Sequence, residues 1–323
     1  MSQSPALPES SIVNAMTVDV EDWFQVQAFA DRIDRAEWEA KESRVEANVD
    51  RILALFDHAG VRATFFTLGW VAKRQPTMIR RIVAAGHELA SHGWEHVRAD
   101  TQDPAAFRAD VERTRLTLED LGGVPVVGYR AATFSIGARN LWAFRVLEEA
   151  GYVYSSSINP IRHDLYGMPD APRTPFRPEG GGLWEIPMTT VAVFGRNWPC
   201  AGGGYFRLLP YRLFHHGLSV VNRQEHSPGV FYFHPWEVDP AQPRVAGARW
   251  KSRLRHYTNL SRMHAKLERA LQDFTWDRMD RVFAGLIERQ APAKPPLPAL
   301  VRFAAQAHEA RGSVSHSNPA ASA

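Results

Sequence analysis

Among its 323 residues the chain has one cysteine, Cys200. That excludes an intramolecular disulfide and any cysteine-built zinc site, and it suits a reducing compartment. No uncharged apolar run reaches the roughly 18 residues of a membrane span, so no stable membrane insertion is expected. The N-terminus, MSQSPALPESS, lacks the basic and apolar segments of a secretory signal. Together these two absences make a cytoplasmic location the expectation. An excess of either charge is also lacking, with 38 basic against 35 acidic side chains. That is thin footing for nucleic acid, and no nucleic-acid partner is expected.

What is abundant is aromatic and apolar: ten Trp, 17 Phe and 45% hydrophobic residues overall, enough for a sizeable core and for stacking on sugar rings. Strand-like and helix-like segments alternate. An apolar strand ends at Asp19, a helix covers VEANVDRILALFDHAG behind a Ser43/Glu46 capping box, and RATFFTLG (62–69) reads as a buried strand. A helix from Pro76 to Gly86, a strand over 87–92, a helix over 104–120, a strand over 124–130 and a helix over 138–151 follow. This rhythm predicts an α/β fold on a parallel sheet, either a barrel or a doubly wound layer. Further on come short β pieces at 183–189 and 190–195, a helix at 211–224, a strand at 229–238 and a basic amphipathic helix at about 259–272.

Chemistry gathers where strands end. Asp19, Glu21 and Asp22 follow a β-branched run, and packed carboxylates resist ionising together unless a cation is near. A solvated turn is the plainer reading of such acids. It loses ground because His92 and His96, four residues apart, supply a pair that can share a divalent ion on a helical turn. Two histidines and one carboxylate leave positions open for water and substrate. Asp19 is the natural base, Arg130 a cation able to aim it, and His234 an acid that titrates where an amine leaving group needs a proton. Trp23, Trp94, Trp184 and Trp236 adjoin these residues in sequence and suit a sugar-binding groove.

These stretches resemble the polysaccharide deacetylase superfamily, the carbohydrate esterases with a NodB homology domain. DVED (19–22) stands in place of the Thr-Phe-Asp-Asp-Gly motif, SHGWEH (91–96) resembles the His-x-x-x-His motif, and GYRAATFS (128–135) the arginine motif. LWEIP (183–187) is similar to the tryptophan motif and FYFHP (231–235) to the final histidine motif. More narrowly, VDVEDWF, GGGYFRLLPY and FYFHPWEVDPAQPR are similar to deacetylases found with exosortase and exopolysaccharide loci. The resemblance covers about residues 12–285. It implies a distorted (β/α) barrel of about seven strands that removes N-acetyl groups with one divalent metal ion, zinc being the expected one. The implied substrate is an N-acetylated polysaccharide or lipid-linked oligosaccharide. Asp19 would be the base, Arg130 its orienting partner, His92 and His96 metal ligands, and His234 the acid. The family's second aspartate is replaced by Val20, so the third ligand is Glu21 or Asp22. Ala132 stands where the arginine motif commonly has proline.

The expected organisation is a flexible 1–11, a barrel over 12–200 completed by the strand at 229–238, a C-terminal extension over 201–290 and a disordered tail over 291–323. Two rival functions stand beside the first: an allantoinase-like amidase on a small amide, and a non-catalytic glycan-binding barrel.

Overall fold

The computed structural model describes residues 12–178 and 181–288. The expected loose N-terminal residues 1–11 and the expected disordered tail 291–323 lie outside the described residues. The central strand is Val13–Val20 (β1), and its side chains alternate between two environments, as the two-residue period of a strand requires. Met16, Val18 and Val20 enter the core between sheet and helices, whereas Ala15 belongs to a second cluster inside the curl of the sheet. Thr17 and Asp19 share the inner side with Ala15.

The strands Thr64–Thr67 (β2), Glu88–Ser91 (β3), Gly128–Tyr129 (β4), Tyr154–Ser155 (β5) and Trp184–Glu185 (β6) follow β1 in order, each parallel to its neighbour. Between them lie helices Val45–Ala59 (α1), Gly69–Arg74 (α2), Pro76–Ala84 (α3), Pro104–Gly122 (α4) and Trp142–Glu149 (α5). Thr190–Val193 (β7) and Arg196–Pro199 (β8) form a separate antiparallel hairpin. After helices Gly203–Leu208 (α6) and Tyr211–Arg223 (α7), Val230–Phe233 (β9) returns to pair with β1. Helices Trp250–Tyr257 (α8) and Leu260–Asp273 (α9) precede Thr275–Asp277 (β10), which also pairs with β1. Two single-turn helices, Met279–Val282 (α10) and Ala284–Ile287 (α11), end the described chain. The seven strands β9-β1-β2-β3-β4-β5-β6 make a parallel sheet curled into a half-barrel with helices around it. Near the gap between β6 and β9, the Val230 N–H donates to Thr189 Oγ1 at 2.5 Å.

Helix α1 shows why this order packs. Val45, Val49, Ile52 and Phe56 recur at three- and four-residue spacing and are all buried. Each is worth about 1.5–3 kcal/mol when fully buried. Gly60, at φ +67°, closes the helix in the left-handed conformation that glycine tolerates best. The expected Ser43/Glu46 capping box does not form. Glu46 instead accepts from Arg81 Nη2 at 2.9 Å, and the helix start is held by a carboxylate from β1's end. Three expected strands are also markedly shorter than the sequence suggested, the run at 183–189 pairing only at Trp184–Glu185. The run at 124–130 pairs only at Gly128–Tyr129, and the run at 229–238 stops at Phe233 because Pro235 has no N–H for the ladder. Residues 235–238 coil instead into a 3₁₀ turn.

Candidate metal and acid–base site

At the C-terminal edge of the sheet, β1 delivers Asp19 inward and β4 delivers Arg130 toward it. Arg130 is fully buried, and its Nη1 donates to Asp19 Oδ1 at 2.6 Å and Thr17 Oγ1 at 2.7 Å. Its other nitrogens donate to the Ser156 carbonyl and Ser156 Oγ, both at 3.1 Å, while its guanidinium lies 4.0 Å from the centre of the Phe66 ring. With four oxygens and one ring fixing it, Arg130 can hold the Asp19 carboxylate in one orientation.

Glu21 follows Asp19 by two residues and keeps the same inward direction. Its Oε1 accepts from the Trp236 indole at 3.2 Å; its Oε2 is buried with no hydrogen-bond donor and lies 3.1 Å from His96 Nε2. Ligand atoms of Glu21, His92 and His96 all fall within 4.8 Å of one another, the one such group among the described residues. His92 turns its Nδ1 to the Arg130 carbonyl at 2.9 Å, which suits an N–H there and leaves Nε2 free to bind. The two histidines are not on a helical turn, as the spacing suggested. They flank a loop in which Gly93 (φ +76°) and His96 (φ +54°) take left-handed conformations, bringing the rings to 5.4 Å.

Burial sets the protonation of this cluster. It lowers His92 to about 4 and His96 well below the usual range, so both imidazoles stay neutral, the form that binds cations. It raises Glu21 to about 7, against the attraction of His234. An orphaned, desolvated carboxylate oxygen facing neutral imidazoles is the arrangement a divalent ion would relieve. The residues present therefore fit such an ion.

Asp22 goes elsewhere. Past the strand it lies on the opposite side, where Oδ2 accepts from Ser43 Oγ (2.8 Å), Arg44 N (2.8 Å) and Val45 N (3.1 Å), and Oδ1 from Trp23 N (2.9 Å). It holds the first turn of α1, and its place as a candidate metal ligand is corrected accordingly. The strand's alternation could have shown this, because Ala15, Thr17, Asp19 and Glu21 share one parity and Asp22 the other.

The 3₁₀ turn after β9 positions His234. Pro235 bends the chain so that Glu237 Oε1 returns to His234 Nδ1 at 2.8 Å and to its backbone N–H at 3.1 Å. Glu237 Oε2 accepts from Arg207 Nε at 2.6 Å; Arg207, on α6, is buried and also donates to the carbonyls of Arg255, His256 and Thr258. Burial alone would push Glu237 up, but the Arg207 charge and His234 bring it down to about 2. Burial likewise opposes charge on His234, yet the Glu237 hydrogen bond and the Glu21 charge lift it to about 9. His234 Nε2 lies 3.6 Å from Glu21 Oε1, and its side chain is 20% exposed against 7% or less for Asp19, Glu21 and His96. His234 thus forms the open side of the cluster. Glu237 and Arg207 escaped the sequence reading, although a carboxylate three residues after a histidine across a proline was a signal.

The four tryptophans do not line one groove. Trp23 is buried in the helix-side core and donates to the Glu42 carbonyl at 3.0 Å. Trp94 lies under the Arg113 guanidinium at 3.4 Å and covers Gly69 so closely that a Cβ there would meet its ring at 2.3 Å. Trp184 packs against the inner cluster, with Arg177 4.7 Å from its ring centre. Only Trp236 joins the site, as the donor to Glu21, sandwiched between His234 (5.0 Å) and His256 (4.0 Å).

Residues 38–155 match the model of the polysaccharide deacetylase family. Over that stretch the chain is similar to that family. Residues 156–284 match a second model, a domain of unknown function called DUF3473. Asp19 and Glu21 fall ahead of the first match and His234 falls within the second. Among curated proteins, a peptidoglycan deacetylase-like protein of Gibberella zeae is 28% identical over 120 residues, 36% of this chain and 35% of that one. A chitooligosaccharide deacetylase of Sinorhizobium fredii is 49% identical over 53 residues, 16% of this chain and 23% of that one. The chain therefore spans well under two thirds of either relative's length. A crystal structure of a presumptive polysaccharide deacetylase from Mycobacterium smegmatis superposes with a TM-score of 0.57 at 20% identity. That match covers 92% of this chain and 99% of the other, and shows a shared fold.

Proposed function

We propose that the chain is a divalent-metal-dependent deacetylase acting on N-acetylated aminosugar units of a polysaccharide, an exopolysaccharide or its lipid-linked precursor. One observation carries the reading: a donorless, buried Glu21 oxygen faces His92 and His96, with an Arg130-held carboxylate on one side and a Glu237-held imidazole on the other. Glu21, His92 and His96 would hold the ion, for which zinc suits two imidazoles and a carboxylate with open positions. When bound, it would polarise the acetamide carbonyl and acidify a water molecule.

The chain's own groups do the rest. Asp19, fixed by Arg130, takes a proton from the attacking water as its oxygen bonds to the acetamide carbon. The C–N bond then breaks, and the departing amine nitrogen takes a proton from His234 Nε2. That nitrogen is the available one because Nδ1 is engaged by Glu237. His234, raised to about 9, carries this proton at neutral pH. On this reading the 229–238 run, counted with the 12–200 barrel, brings His234 and Glu237, and the extension over 201–290 brings Arg207 to hold Glu237.

Acetate release from N-acetylglucosamine oligomers tests the reading. Activity should vanish with a chelator and return with added zinc; chelator-insensitive release would refute the metal role. The burial of Asp19, Glu21, His92 and His96, with Trp236 the one tryptophan of the four candidates beside them and itself buried, favours a second reading, an amidase on a small amide. Higher kcat/KM on small cyclic amides than on sugar oligomers would decide for that one.

A further inference from the structure

Across the whole chain basic and acidic residues nearly balance, but residues 240–267 hold seven Arg or Lys and no Asp or Glu. Helix α8 lies within this stretch and presents an unusual outer face. Trp250 is 70% exposed and Leu254 52%, four residues apart and hence on one side of the helix. Arg249, Lys251, Arg253 and Arg255 surround them, all exposed. Arg249 reaches Asp31 at 3.3 Å and Arg255 reaches Asp164 at 3.0 Å. Lys251 and Arg253 meet no carboxylate within ion-pair distance among the described residues. The only residue α8 buries is His256. Folding thus gains nothing from placing Trp and Leu outward between four cations.

We infer that α8 docks on the surface of an anionic lipid bilayer. A soluble polyanion would be satisfied by the cations alone and would offer Leu254 nothing. A bilayer interface has both layers needed: anionic headgroups for Lys251 and Arg253, and an acyl boundary just beneath for Trp250 and Leu254. The contact is peripheral, since among the described residues no helix is long and apolar enough to cross a membrane. The docking face also lies directly behind the site. His256, on the buried side of α8, stacks on Trp236 at 4.0 Å, and Trp236 donates to Glu21. The inference concerns binding and stands apart from the reaction proposed above, so either can fail without the other.

The test is co-sedimentation of the full chain with vesicles of phosphatidylcholine alone and with about one-third phosphatidylglycerol. Binding should appear on the anionic vesicles and be at least about tenfold weaker on the neutral ones. Trp250→Ser with Leu254→Ser keeps every charge and should weaken anionic-vesicle binding about tenfold or more. Lys251→Glu with Arg253→Glu should abolish it. All four positions are exposed, and an unchanged melting temperature verifies that each variant folds. Absence of wild-type binding to anionic vesicles would overturn the inference. So would equal binding by the serine pair, particularly if dextran sulfate competed fully, since the face would then be a site for a soluble polyanion.

Discussion

Two buried glutamates at opposite ends of the same sheet are both pushed by burial to about 7, yet their surroundings differ. Glu88, at the start of β3, accepts from Thr64 Oγ1 (2.5 Å), Tyr154 Oη (2.8 Å) and the Asp280 N–H (3.1 Å). Both its oxygens are satisfied, and it ties β2, β3, β5 and α10 together. Glu21, past the end of β1, has one oxygen bonded to Trp236 and the other facing His96 with no donor. A raised pKa alone therefore does not mark a functional carboxylate. The orphaned oxygen with ligand-type neighbours does, and this division follows the barrel rule that stability sits at one end and chemistry at the other.

The comparison can be broken by substitution. The largest effect expected is at the proposed base: Asp19→Asn should lower kcat by about 10²–10⁴-fold while the bound metal stays, as measured by acetate release beside metal analysis. Wild-type turnover in that variant would remove Asp19 from its role. Next, Glu237→Gln should lower kcat and move the alkaline limb of the pH–rate profile downward. The sign follows from His234, which in the proposed reaction must be protonated to act. Glu237 holds its proton on to about 9, and without that carboxylate the proton leaves at lower pH. A variant that only loosened the fold would lose activity at every pH without moving the limb. At the other end of the sheet, Glu88→Leu should cost about 1–3 kcal/mol of stability by stranding the Thr64 and Tyr154 hydroxyls. Its metal content should be unchanged, which denaturant titration and metal analysis would show together.

Much of the site was readable because strand ends are readable. Asp19, the 92–96 histidines, Arg130 and His234 each follow an apolar or β-branched run in an alternating βα pattern, and in a curled parallel sheet such ends converge. The choice between Glu21 and Asp22 stays open in the sequence because one residue of slack past the strand could deliver either acid, although alternation along β1 separates them. Glu237 was hidden in FYFHPWEV, which reads as continuous strand until Pro235 is given its effect on the ladder. Arg207 offered no local signal at all. It acts on Glu237 from a different helix, 30 residues earlier, and only tertiary packing joins them. Proximity in sequence also misled at Trp23 and Trp94, whose rings serve the core and the helix packing.

The central claim is that Glu21, and not its neighbour Asp22, completes a metal site with His92 and His96. Metal content and calorimetric zinc binding of two variants, Glu21→Gln and Asp22→Asn, test it directly. The wild type and Asp22→Asn should each bind one divalent ion per chain, with Asp22→Asn less stable by about 1 kcal/mol for its weakened hold on α1. Glu21→Gln should bind none at the same concentration while remaining folded. An ion retained by folded Glu21→Gln and lost from folded Asp22→Asn would contradict the account.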